Sequence, residues 1–526
     1  MQFHTVKVTI AAMAATLCTL AASAQFYPAN GTKDAPYDAQ LVLTFDDEPE
    51  LVPGSFVTIS DASGKAVDKI AFTDDTQTFA DNIPIAVGSQ LVRKDGKAIY
   101  ITPHFGKILP AGFYAVSIDA AAIKGTLAGK AFAGIDAKSW SFSTKAAPAA
   151  PADGATITVD NTASADNKAD FHSVMGALAF LADKTGTYTI TLAPGTYYEL
   201  IRYSGTANII LQGSKGNNRG DNATIEYVNC NDMNASMPTR PMIYFTGADL
   251  SLENLTLVNL TDRRKSYIST MKFPSGDAQA ETIYFNEPAH HFNAYNCTFK
   301  SHQDTLLTKG KVWFYNCAIQ GDVDFNWGYC SAALFENCDI TCLFDSGTGK
   351  DRAYLFETRV GKKGDPLVGK GYVLYNSRVI VEKAQTAYYG RRATAKTKPT
   401  DYYDQCAIVN VEFSGEGNMG DSRWYVGKEP DFIDDSANVG WKEYNVTFKT
   451  LTGKKPEDKD ISKRYKNSAS IDKKVYKTEY STRDQIMNRV YNIDKNSYQA
   501  DANIWDINQL ARDRGYDVKD LPKAKK

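Results

Sequence analysis

Asn296-Cys297-Thr298-Phe299, Asn316-Cys317-Ala318-Ile319 and Asn337-Cys338-Asp339-Ile340 are three copies of one frame, their asparagines 20 and 21 residues apart. Looser copies stand at Asn254-Leu255-Thr256-Leu257, Asn376-Ser377-Arg378-Val379 and Asn410-Val411-Glu412-Phe413. A period near 20 that joins short β-forming runs to a turn asparagine is what a parallel β-helix needs, because each coil lays the same residue over its predecessor. Buried asparagine amides are then expected to ladder from coil to coil. The cysteines are expected to stack as small apolar side chains in the core. The longer intervals, 337 to 376 and 376 to 410, predict coils with loop insertions, which gather on one face and form a cleft.

Outward from the repeat, the N-terminal side predicts a cap. Asp170 is placed to start a helix whose apolar face is Phe171, Val174, Met175, Leu178 and Leu181, followed by a strand over Thr187–Leu192. The β-helix is therefore expected over 155–450. Residues 26–146 read as a small β domain of short alternating runs broken by Gly, Pro and Asp turns. Residues 147–154, rich in Ala and Pro, read as an exposed linker. After 450 a charged stretch, "GKKPEDKDISKRYK", leads into a C-terminal extension, 451–526, with two candidate helices around Arg483–Tyr491 and Ile504–Arg514. At the other end Lys7, the apolar run Val8 to Leu20 and the small residues Ala22-Ser23-Ala24 predict a signal peptide over 1–24, cleaved after Ala24, and hence a secreted or periplasmic protein.

Composition narrows the function classes. The formal charge of −2 over 526 residues gives no reason to expect nucleic acid as a partner. No other stretch reaches the ~18 apolar residues of a membrane span, so no membrane insertion is expected. Seven cysteines follow the signal segment, an odd number, with free thiols and disulfides both open. No Cys-x-x-Cys pair suggests zinc, and no Gly-x-Ser-x-Gly suggests a serine esterase. His290-His291 reads as turn histidines rather than metal ligands, and Lys362-Lys363 with Lys370 as a solvated face.

The densest polar cluster is Gln303-Asp304-Thr305 followed by Gly321-Asp322-Val323-Asp324-Phe325. Asp304 and Asp324 are 20 residues apart, one coil, which stacks them on neighbouring strands ~4.8 Å apart. Two carboxylates so close do not both ionise easily, so one is expected to hold a proton while the other attacks or accepts. Asp322 reads as an ordinary turn or surface aspartate. Asp324, between Val323 and Phe325-Asn326-Trp327, sits where an idle carboxylate would be costly.

"SHQDTLL", "GDVDFNWG" and "ALFENCDI", with "APGTYYELI", "NIILQG" and "GDAQAETIYF" upstream, resemble the pectin methylesterase family over roughly 155–415. The resemblance implies an all-β, right-handed parallel β-helix that hydrolyses C6 methyl esters of polygalacturonate, with no metal or other cofactor. It implies Asp324 as nucleophile, Asp304 as general acid and later base, Gln279 and Gln303 as oxyanion donors, and Arg391 as the cation that orients Asp324. Trp327, Phe325, Tyr389 and His302 are the expected sugar-contacting side chains, homogalacturonan the partner, and a monomer the expected state. The chain departs from the family where Arg391 is followed by Arg392-Ala393 in place of Pro-Trp, and where His302 and Trp327 replace a usual Tyr and Phe. "FYPANG", "LPAGFYAVSI" and "WSFST" resemble bacterial immunoglobulin-like modules, which implies a β-sandwich with a spacer or binding role. Two other readings stay open. One is a different pectin enzyme, a lyase or glycoside hydrolase, although none of the six histidines lies between glycines as a polygalacturonase pattern requires. The other is an inactive β-helix that only binds polysaccharide.

Overall fold

The computed structural model describes residues 25–216, 219–220, 222–271, 278–345, 347–362, 364–392, 402–425, 438–451, 465 and 468–523. The signal segment 1–24, Lys363, Ala393 and most of the charged stretch after 450 lie outside these.

From Thr156–Val159 to Ala469–Ser470 the chain winds through two sheets, of 18 and nine strands, in which every pairing is parallel. The repeat falls in the nine-strand sheet. Thr298, Ala318, Asp339, Arg378 and Glu412 lie directly over one another, one per coil. The next residue in each copy, Phe299, Ile319, Ile340, Val379 and Phe413, points inward and is fully buried. Each such side chain contributes ~1.5–3 kcal/mol of burial, and each needs the coil above and below to be covered. This is the parallel β-helix that the 20-residue period predicts.

The repeated asparagines sit at the corner before these strands, at φ between 48° and 56° for Asn254, Asn296, Asn316, Asn337, Asn376, Asn410 and Asn445. Asn tolerates this left-handed conformation better than most residues. Their amides ladder as expected: Asn296 donates to Asn254 at 2.7 Å, Asn316 to Asn296 at 3.1 Å, and Asn410 to Asn376 at 3.0 Å. They are half-exposed or exposed rather than buried, because a left-handed corner turns the side chain out of the core. All seven described cysteines are free thiols, and all are buried.

Three expectations about the ends need correction. The capping helix is Val174–Leu181, and its N-cap is Ser173, whose Oγ accepts from the Gly176 N–H at 2.9 Å. Asp170 is committed elsewhere, accepting from the Thr158 N–H and Oγ at 2.8 Å, while Phe171 still bridges Val159 as extended chain. At the C-terminus a helix covers only Arg483–Met487. Asn488 ends it, and Arg489–Asn492 turns back on Ser497–Ala500 as an antiparallel hairpin. The second helix is Ile507–Arg514. Together these pack Ile486, Met487, Ile507 and Ala511 over an outer apolar face of the β-helix formed by Trp313, Leu334, Val373 and Ala407. Lys370 belongs to this seam and not to a solvated face. It is 1% exposed, 3.1 Å from Glu479, and burial lowers its pKa to about 7.

Residues 26–144 form two main sheets of four and five strands and three two-stranded ribbons, antiparallel except where Ser141–Thr144 runs parallel to Thr32–Ala35. They meet the β-helix through Asp38, which accepts from the His172 and Ser173 N–H groups at 2.7 and 2.8 Å, and through the Arg202–Asp81 ion pair at 2.6 Å.

Candidate active site

Two consecutive corners of the 18-strand sheet carry Asp304 and Asp324, both left-handed at φ 64° and 52°. Leu306 pairs with Asn326 just beyond them. The Asp304 N–H donates to the Val323 carbonyl at 3.0 Å, and the Leu306 N–H to the Phe325 carbonyl at 3.0 Å. The two carboxylates therefore rise from the same point of neighbouring coils. Thr305 closes the corner by donating its hydroxyl to the Gln320 carbonyl one coil on, at 2.9 Å. Gly321 allows that approach, since a Cβ there would lie 2.3 Å from the Phe325 Cβ and 2.7 Å from the Thr305 Oγ.

The surroundings of the two aspartates differ. Asp324 takes a two-pronged ion pair from Arg391, Nε to Oδ1 at 2.6 Å and Nη2 to Oδ2. Arg391 reaches it because Trp327, Glu357 and Arg391 occupy one outward column of successive coils. Glu357 is 3.6 Å from Arg391 and is itself bonded by Arg359. Asp304 accepts on one oxygen only: Oδ2 receives the Gln279 amide at 2.7 Å and Arg240 Nη2 at 3.1 Å, while Oδ1 is buried without a partner. Arg240 is bound chiefly to Glu281, with contacts of 2.6 and 2.8 Å to Oε1 and 3.0 Å to Oε2. Burial pushes both aspartates well above the ordinary carboxylate range. Glu281, then Asp324, adds to this at Asp304 against the pull of Arg240. Glu357 adds to it at Asp324 against the pull of Arg391.

A cleft of about 370 Å³ opens beside the pair, lined by Gln303, Val323, Arg352, Tyr354 and Arg391 among others. Gln303 lines this cleft, and its Oε1 is buried without a hydrogen-bond partner. On one side Tyr354, Tyr388 and Tyr425 gather with ring centroids 4.9–5.7 Å apart. On the other, Trp327 packs with Tyr284 and Leu307 beneath the guanidiniums of Arg240 and Arg359, 5.6 and 5.0 Å from its ring. A cavity of similar size, about 390 Å³, lies by the N-terminal unit, lined by Tyr37, Phe79, His172 and Tyr198, and none of the expected catalytic or sugar-contacting residues lines it.

The family model described as pectinesterase matches residues 160–431, just over half of the chain and both aspartate corners. The chain belongs to the pectinesterase family. It is 27% identical over 224 residues to a probable pectinesterase A of Aspergillus flavus, covering 42% of this chain and 63% of that one. It is 32% identical over 187 residues to pectinesterase 31 of Arabidopsis thaliana, covering 34% of this chain and 49% of that one. The matches thus span less than two thirds of these relatives. Among solved structures, a pectin methylesterase of Erwinia chrysanthemi aligns with a TM-score of 0.47 at 21% identity, over 64% of this chain and 98% of that one.

Within this pectinesterase-family site the structure brings together Asp304, Asp324, Gln279, Gln303, Arg391 and Trp327. Phe325 and Tyr389, expected against the sugar, are elsewhere. Both are fully buried in the β-helix core, because each follows an outward residue on its strand and so points in; the Tyr389 hydroxyl bonds Glu443. His302 is half-exposed, but its Nδ1 faces Asp322 at 3.3 Å. Asp322 is not a surface residue: it is fully buried, paired with Arg263 and His302, and with Asp345 completes a trio of possible metal donors. Arg263 already stands between the two aspartates of that trio, 3.3 Å from Asp345. Arg392 turns inward to Asp404 at 2.8 Å. His290 and His291 both direct Nδ1 to Asp249, at 3.2 and 3.5 Å. Sequence reading missed Arg240, Glu281, Glu357 and Arg359. Glu281 left one signal, an acid inside the strand-forming run "AETIYF", which calls for a buried cation; Arg240, in a loop, left none.

Proposed function

We propose that the protein is a carbohydrate esterase that hydrolyses C6 methyl esters of homogalacturonan and releases methanol. The observation that carries this reading is the stacked, inequivalent pair: Asp324 gripped on both oxygens by Arg391, and Asp304 with one oxygen free. Arg391, which lines the cleft, holds Asp324 as a carboxylate, and desolvation makes it a competent nucleophile. One oxygen of Asp324 bonds the ester carbon, and the carbonyl π pair moves onto oxygen. The Gln303 amide donates to that oxyanion, and Gln279 joins it when substrate displaces its bond to Asp304. Collapse breaks the C–OCH3 bond, and Asp304 gives its proton to the departing methanol. Asp304, now a carboxylate, takes a proton from water. The resulting hydroxide opens the Asp324–galacturonyl anhydride, which restores Asp324 and leaves a free uronate.

The cleft suits an acidic sugar polymer. Among the described residues Lys350, Arg352 and Arg391 line it with one carboxylate, Asp351, and Tyr354, Tyr388 and Tyr425 offer a stacking surface in place of the family's missing Trp. The N-terminal unit is read as an immunoglobulin-like β-sandwich acting as a spacer or binding module, supported by its two packed sheets. The chain is read as an exported monomer, cleaved after Ala24, secreted or periplasmic. Among the described residues no helix is long and apolar enough to cross a membrane.

The test is incubation of the mature protein with highly methylated pectin and no added calcium, following methanol, ultraviolet-absorbing unsaturated ends and new reducing ends. Methanol alone is expected. Unsaturated ends would make it a lyase and reducing ends a glycoside hydrolase. A folded protein that released nothing from pectin of any methylation degree would be a binding protein.

A further inference from the structure

The buried cluster behind the cleft holds four carboxylates, Glu281, Asp304, Asp324 and Glu357, and three guanidiniums, Arg240, Arg359 and Arg391. Three pairs are assigned by geometry. Arg391 holds Asp324 on both oxygens. Arg359 bonds Glu357. Arg240 makes its three shortest carboxylate contacts with Glu281, at 2.6, 2.8 and 3.0 Å. Asp304 is the carboxylate left over. It touches only the edge of Arg240, at 3.1 Å, and its Oδ1 meets no donor. A buried cluster with one carboxylate in excess is neutral when that carboxylate binds a proton, and desolvation strongly favours neutrality.

Glu281 has no place in the chemistry above. It is fully buried on the coil before Asp304 and contacts the pair only through Arg240. We propose that Glu281 is a positioning residue: by claiming Arg240 it leaves Asp304 as the proton-carrying member of the pair and directs that proton to Oδ1. Arg240 also bonds the Gln279 Oε1, so the same guanidinium fixes the amide that occupies Oδ2. Among the described residues, the charged groups acting on Asp304 include Glu281 from the coil before, Arg240 from two coils before, Asp324 from the coil after, and Glu357 with Arg359 one coil further. The inference rests on the esterase reading, because the role it assigns is that of the acid in methanol release.

The sign follows from the role. Asp304 works protonated in the first step, so methanol release falls as pH rises through its apparent titration, which forms the alkaline limb of the profile. Glu281→Gln frees Arg240 to pair fully with Asp304, stabilises its carboxylate, and moves the alkaline limb to lower pH by about one unit or more. The double variant Glu281→Gln with Arg240→Met removes both charges and returns the limb toward the wild-type position. A structural role alone would lower thermal stability and the amount of active enzyme in both variants without moving the limb.

The experiment is the pH profile of kcat/KM for methanol release by wild type, the single variant and the double variant, with melting temperatures alongside. Wild-type methanol release tests the esterase reading by itself. Given that, a limb moved to lower pH in Glu281→Gln and restored in the double variant supports the assignment. A limb that stays at the wild-type pH in folded Glu281→Gln overturns it. If Glu281→Gln does not fold, Glu281→Asp decides: its shorter side chain loosens the hold on Arg240, so an alkaline limb moved to lower pH supports the proposal, and one that stays at the wild-type pH overturns it.

Discussion

Two columns of left-handed corners run along this β-helix, and they handle the same backbone problem with different chemistry. At one corner Asn254, Asn296 and Asn316 pass an amide hydrogen bond from coil to coil. At the other, Asp304 and Asp324 stand one coil apart in the same conformation. An amide carries donor and acceptor together, so a stack of asparagines satisfies itself. A stack of ionised carboxylates has only acceptors and repels itself, so it must recruit cations or a proton. Arg391 comes from two coils beyond Asp324 and pairs with it, and Asp304 is proposed to hold the proton. The first corner satisfies itself along the fold, and the second, which cannot, is where the proposed reactivity lies.

The sharpest way to break the comparison is to make the second corner resemble the first. Asp324→Asn keeps the turn and the size but removes the nucleophile, and methanol release is expected to fall on the order of 10⁴-fold or more. Asp304→Asn leaves the nucleophile but no transferable proton, with an expected loss of about 10²–10⁴-fold and loss of the alkaline limb in the pH profile. Gln303→Ala removes one oxyanion donor without touching either corner, and about 10²–10³-fold is expected in kcat with little change in KM. The reverse change, Asn296→Ala in the structural column, is expected to cost about 1 kcal/mol by denaturant melting and to leave the activity per folded molecule as it was.

Much of this was legible in the chain. The period of 20 and the turn asparagines are written at every coil, because a stacked architecture imposes the same steric demand each time. The spacing of Asp304 and Asp324 follows from that period. Inward and outward directions were harder near the corners. A left-handed residue breaks strand alternation, so Phe325, one position after Asp324, enters the core while Trp327 lines the cleft side. Tyr389 has no such corner beside it and obeys plain alternation: Tyr388 before it is half-buried, and Tyr389 turns into the core. The arginines that complete the site come from coils and loops with no fixed sequence spacing to the aspartates. Arg240 lies 64 residues from its contact at Asp304, and only the fold brings them together. Asp322, two residues from Asp324, looked like a surface turn because its partner Arg263 is 59 residues away.

The central claim is that one aspartate of the stacked pair is ionised and the other protonated, Asp324 and Asp304 respectively. Neutron diffraction from deuterated crystals of the wild type at neutral pH tests this most directly. The account predicts a deuteron on Asp304 Oδ1 and none on either oxygen of Asp324. A deuteron on Asp324 with both oxygens of Asp304 bare would contradict it, and would exchange the roles of the two residues.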